Sequence, residues 1–106
     1  MLLIPKRSDI RSRSEVVLER EFKYIPFNGI PIIVANMDHT GTMEMAAALQ
    51  PLKVSVALHK FYSKEDHLRF WPTPASQYAF YTLGASKDEF ANLKDIHHLI
   101  YPRYIC

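Results

Sequence analysis

The sequence predicts an α/β fold built on a parallel sheet, and three observations carry the prediction. Short β-branched and apolar runs recur at Ile30-Pro31-Ile32-Ile33-Val34-Ala35, at Val54-Ser55-Val56-Ala57-Leu58 and from Tyr78 to Leu83. Segments of strong helix formers, each behind a hydroxyl residue able to cap them, lie between these runs. The first two runs are nearly continuous in apolar character, as in strands covered on both faces. Buried strands alternating with helices argue for right-handed parallel crossovers. A doubly wound sheet and a (β/α)8 barrel begin in the same way, and the pattern leaves both open.

Each element follows in order. Residues 5–14 are polar and basic and read as an extended arm. Lys6, Arg7, Arg11 and Arg13 fall there, opposed only by Asp9; such a cluster is either a solvated basic arm or an attractor of phosphate. From Val16 to Phe22 a loose alternation predicts a half-buried strand, and Phe27-Asn28-Gly29 predicts a turn. The run from Ile30 to Ala35 ends in the polar residues Asn36 and Asp38. Thr42 is placed to cap a helix over Met43–Leu49, closed by Pro51. The strand Val54–Leu58 ends in His59-Lys60. Ser63 caps a short helix from Lys64 to about Trp71, and Pro72 stops it. The strand from Tyr78 to Leu83 runs into Gly84. Ser86 and Glu89 have capping-box spacing, ahead of a helix with Phe90, Leu93, Ile96 and Leu99 on one stripe. Arg103-Tyr104-Ile105-Cys106 begins a fourth strand.

The totals narrow the class. A chain of 106 residues holds one compact domain. With 48% apolar and 23% charged residues it has the composition of a soluble globular protein. No apolar run has the length of a membrane span, and no signal-peptide core opens the chain, so no membrane partner is expected. The single cysteine, Cys106, excludes an internal disulfide and agrees with a reducing, cytoplasmic setting. A net charge of +2 says little, and nothing beyond the basic arm supports a nucleic-acid partner.

Chemistry in parallel α/β folds collects at the C-terminal ends of the strands. Those ends carry Asn36 to Thr42, then His59-Lys60, then Thr82-Leu83-Gly84-Ala85-Ser86, giving donors, a carboxylate and a cation at one rim. Asn36 and Asp38 equally suit a turn into the helix, His59 a histidine satisfied by backbone, and Lys60 a solvated loop lysine. As a functional group, Lys60 would set a positive charge beside a phosphate or a carboxamide. The histidines are scattered, and adjacent His97 and His98 point about 100° apart on a helix, so no metal site is expected. No phosphate-loop glycine pattern and no nucleophilic triad is indicated.

Three segments together resemble the IMP dehydrogenase/GMP reductase family, and its GMP reductase branch in particular. The first runs from Leu3-Ile4-Pro5-Lys6-Arg7-Ser8 through Arg11-Ser12-Arg13-Ser14-Glu15-Val16 to Leu18-Glu19-Arg20-Glu21-Phe22, and is the most specific. The second is Gly29-Ile30-Pro31-Ile32-Ile33-Val34-Ala35-Asn36-Met37-Asp38 with Gly41-Thr42 and Glu44-Met45-Ala46. The third is Ala57-Leu58-His59-Lys60 with Tyr62-Ser63. Weaker matches run from Thr82 to Phe90 and over Tyr104-Ile105-Cys106.

The resemblance implies the N-terminal half of a (β/α)8 TIM barrel. About four parallel strands with three intervening helices would follow an extended basic arm and a short strand. The whole chain would be one partial barrel domain, with the arm and short strand in residues 1–29 and the first to fourth barrel strands in residues 30–106. It implies a homo-oligomer that reduces GMP to IMP and ammonia with NADPH. Ser12 and Arg13 match a pair that contacts NADPH on a neighbouring subunit, and Lys60 matches a lysine that contacts NADPH. The family's nucleophilic cysteine, potassium loop and GMP phosphate site have no matching residues here, so no catalytic residue is assigned and the 106 residues are expected to be inert alone. Cys106 matches a cysteine of the fourth strand, not the nucleophile. The chain departs from the family's usual pattern at His39-Thr40, Phe61 and Leu83.

Overall fold

The computed structural model describes residues 1–23 and 25–106. Five strands form one sheet: β1 (Arg20–Phe22), β2 (Ile25–Val34), β3 (Val54–Ala57), β4 (Ala79–Tyr81) and β5 (Tyr104–Ile105). Three helices connect them: α1 (Met43–Leu49), α2 (Lys64–Phe70) and α3 (Lys87–Ile100). The spatial order is β1-β2-β3-β4-β5, so every strand lies beside its neighbour in sequence. The order does not reverse, as it does at the switch point of a doubly wound sheet. β2 to β5 are parallel, and β1 is antiparallel to β2.

The helices start where hydroxyl residues can cap them. The Thr42 and Ser86 side chains accept from the backbone N–H groups of Met45 and Glu89. Ser63 makes a full capping box with Asp66. All three helices pack on one face of the sheet. Val56 of β3, Leu58 just after it, and Ala79 and Tyr81 of β4 meet Ala46, Phe70, Leu93 and Ile96 from the helices. These strand positions alternate, as the period of two requires.

Among the described residues the opposite face carries the intervening residues and no α-helix. Its inner end is aromatic: Phe27, Tyr78 and Tyr104 form a second buried cluster with Phe80 packed against it. Phe27 meets Tyr78 and Tyr104 edge-on, each at 6.1 Å between centroids. The Tyr104 hydroxyl donates to the Pro26 carbonyl at 3.0 Å, joining β5 to β2 across the two strands between them. The sheet is therefore curved toward its helix-free face.

Four expectations are corrected in detail. Phe27-Asn28-Gly29 is not a turn but part of β2, paired with β1 as Glu21↔Asn28 and Arg20↔Gly29. The strand expected over Val16–Phe22 shrinks to Arg20–Phe22, exposed throughout, because only that part pairs with β2. β2 is not covered on both faces: Ile32 and Ile33 are each more than half exposed, at 57% and 56%. Cys106 lies just past the end of β5 rather than at a strand start.

The arm before β1 leaves the body of the molecule. Residues 1–19 are all exposed. The radius of gyration is 16.5 Å, against about 13 Å for a compact chain of this size. Lys53 ties the base of the arm down through its Nζ, 2.8 Å from Glu19 Oε2.

Candidate functional site

The C-terminal ends of β2, β3 and β4 form the rim that the sequence predicts. Backbone bonds lock its loops to one another. The His59 N–H donates to the Gly41 carbonyl at 2.7 Å, and the Leu58 N–H to the Phe80 carbonyl at 3.0 Å. Gly41 is needed for the first contact, since a Cβ there would lie 2.3 Å from the Ala57 carbonyl oxygen. Tyr62 spans the same gap. Its ring stacks on His59 at 4.0 Å and 13°, and its hydroxyl accepts from the Met43 N–H at the start of α1.

A cavity of about 320 Å³ opens behind this rim, between α2 and α3. Lys60, Lys64, His67, Thr82 and Glu89 line it. That volume is at the lower end for a small-molecule pocket. Lys60 lines the cavity with its Nζ 3.4 Å from Glu89 Oε1, a partly exposed ion pair. The other carboxylate oxygen, Oε2, accepts from the Ser86 hydroxyl at 3.0 Å. That hydrogen bond, and then the Lys60 charge, hold Glu89 below the usual carboxylate range. Thr82 Oγ1 on the cavity wall is buried and has no hydrogen-bond partner.

His67 is buried in the wall. Its Nδ1 accepts from Trp71 Nε1–H at 3.1 Å, so the neutral ring carries its proton on Nε2. Burial chiefly, with His59 as a like charge, lowers its pKa, and Asp66 opposes the shift.

Ser12 and Arg13, the other predicted residues, are on the arm. Ser12 caps a single 3-10 turn over Arg13–Glu15 through its side chain, which accepts from the Ser14 N–H. Among the described residues no hydrogen bond or ion pair joins either of them to Lys60. Asp38 and His39 are exposed at the rim, 3.9 Å apart. Cys106 is exposed, and its backbone exchanges bonds with Tyr81 and Leu83 along β4. No group of three or more histidine, cysteine, aspartate or glutamate side chains converges among the described residues. No helix there is long and apolar enough to cross a membrane.

The sequence set Thr82 at one rim with Lys60, but did not signal His67 or Glu89 as lining a cavity with them. Glu89 reads there as the partner of the Ser86 cap, and its N–H does donate to the Ser86 side chain. Gly84 was the available signal: a Cβ on it would fall 1.8 Å from Glu89 Oε2, so a glycine is what lets the carboxylate fold back over the loop.

No family model matches the chain. A GMP reductase of Citrobacter koseri is 41% identical over 91% of the chain. One of Tolumonas auensis is 40% identical over all of it, and one of Klebsiella pneumoniae 44% identical over 83%. The chain spans about 30% of the length of these relatives, from 23% to 33%. Over the part of them that it spans, the chain is homologous to the GMP reductases.

Proposed function

We propose that this chain supplies part of the cofactor side of a GMP reductase, an oxidoreductase that converts GMP to IMP and ammonia with NADPH. The observation that carries the reading is Lys60, which lines one cavity together with Ser63, Lys64 and Thr82. A cation with adjacent hydrogen-bonding groups suits one moiety of a phosphate-bearing dinucleotide. NADPH, when bound, supplies the hydride; Lys60 binds and orients it. The strictly sequential, curved parallel sheet supports the reading that β2 to β5 are the first four strands of a (β/α)8 barrel.

Ser12 and Arg13 take the complementary role toward a second subunit. An arm that leaves its own body, with Leu3 98% and Val17 70% exposed, is shaped to lie on another copy. The protein is thus a homo-oligomer in this reading. The 106 residues bind cofactor without turning GMP over, because the lone cysteine is a ladder residue beside β4.

Fluorescence titration with NADPH tests the assignment. Lys60→Ala is expected to weaken binding about tenfold, the scale of a charged hydrogen bond. Arg13→Ala should weaken it only at concentrations where the chain is associated. Binding that neither substitution alters would refute the assignment, and GMP-dependent oxidation of NADPH by the 106-residue chain would refute its inertness.

A second reading has one observation in its favour: the helix-free face is an apolar cleft of about 300 Å³ lined by Phe22, Pro31, Ile33 and Phe80. It is a non-catalytic half-barrel module that self-associates and binds NADPH or a nucleotide weakly. Light scattering separates the two: Ile33→Asp would abolish association if this face is the contact, whereas removal of the arm would abolish it in the first reading.

A further inference from the structure

We infer that Glu89 is an internal counter-ion that masks Lys60 and has to let go before an external phosphate can take the lysine. The inference rests on the reading of Lys60 as a cofactor contact, and adds to it a gate built into the same rim.

Three contacts define the gate. Glu89 Oε1 faces Lys60 Nζ at 3.4 Å, and Oε2 accepts from the Ser86 hydroxyl at 3.0 Å. The carboxylate lies directly over Gly84, where a methyl group would have to occupy its space. The side chain therefore bridges two loops: the one after β3, which carries Lys60, and the one after β4, which carries Gly84 and Ser86. Neither bridging group is deeply buried, with side-chain exposures of 52% for Lys60 and 32% for Glu89. An ion pair of this kind is weak enough to be exchanged. A phosphate carries more charge than a carboxylate and can displace it, but only after Glu89 has swung clear of the mouth. Otherwise a negative group would remain beside the incoming anion.

The gate makes the free site close to neutral and selective. Lys60 and Lys64 on the cavity wall are matched there by Glu89 and Asp95. A weak anion gains too little from Lys60 to open the pair, whereas a pyrophosphate group gains enough.

Two variants of the full chain test this. Glu89→Gln keeps the shape and the capping ability of the residue and removes its charge. Gly84→Ala reaches the same end from the other side, by pushing the carboxylate off the loop. In both, the NMR order parameter of the Lys60 ε-methylene should fall, since the ammonium has lost its tether. Inorganic pyrophosphate, titrated against the same signal, should bind about threefold more tightly than to the wild type. Lys60→Ala in the Glu89→Gln background should cancel the gain. An unchanged order parameter, or pyrophosphate binding that is equal or weaker in Glu89→Gln, overturns the gate. Tighter pyrophosphate binding with no binding of NADPH to any variant leaves the gate standing and removes only the cofactor assignment of Lys60.

Discussion

His67 accepts a hydrogen bond at Nδ1 from an indole N–H that can only donate. A proton added at Nδ1 would point at that donor, so protonation breaks the bond as well as burying a charge. The folded-state pKa accordingly lies below the ordinary 6.5, with burial the main cause. The unfolded chain then binds the proton more readily than the folded one. Stability from this group is complete above pH 6.5 and is lost as pH falls through the lower folded value. Thermal melts should show the midpoint dropping below pH 6.5, before the carboxylates titrate. His67→Gln should flatten that slope; a slope that persists in the variant would assign it to another group.

At the scale of the element, α2 shows how much a seven-residue helix leans on its ends. It is too short to hold itself together through propagation. The Ser63 side chain satisfies the Asp66 N–H at 3.2 Å, while Asp66 Oδ2 accepts from the Ser63 N–H at 3.1 Å and from its hydroxyl at 2.7 Å. Ser63→Ala is expected to cost about 1 kcal/mol in denaturant unfolding. Because Ser63 borders the cavity, the same substitution should loosen the Lys60 loop, seen as faster amide exchange at Phe61 and Tyr62.

The helices were the legible elements. Thr42, Ser63 and Ser86 each announce a start, and each caps the helix that the sequence places behind it. Caps are local, and a local signal survives folding. β1 was legible only in part, and the start of β2 not at all, for the opposite reason. Asn28-Gly29 has turn chemistry, yet its partners are Glu21 and Arg20 on another strand, and the Asn28 amide donates to the Glu21 carboxylate at 3.1 Å. Gly29 is there for proximity, since a Cβ would meet the Lys53 carbonyl oxygen at 2.6 Å. The site divides in the same way. Lys60 could be found because it lies just beyond the C-terminal end of a strand, whereas its pairing with Glu89 joins residues far apart in sequence and exists only once the sheet has formed.

The whole molecule is a curved sheet with helices on one side, an aromatic floor at the N-terminal ends of its parallel strands and the polar rim at the other end. Every strand pairs with a sequence neighbour, so most of the sheet can assemble by short-range steps. The floor is the exception. Tyr104 reaches Pro26 across a separation of 78 residues, and Phe27 meets the Tyr104 ring edge-on.

That bond sets an order in time. A contact of such long span costs loop entropy until the intervening strands are in place, so it belongs late on the folding path. Tyr104→Phe keeps the ring stacked on Phe80 and removes only the hydroxyl. Stopped-flow measurements should therefore find its unfolding faster and its folding rate nearly unchanged. A slowed folding rate would mean that the sheet is seeded from its two ends. In kinetic terms the Tyr104 hydroxyl is a fastener: it does not decide whether the sheet forms, but how long the curved sheet lasts before its edges part.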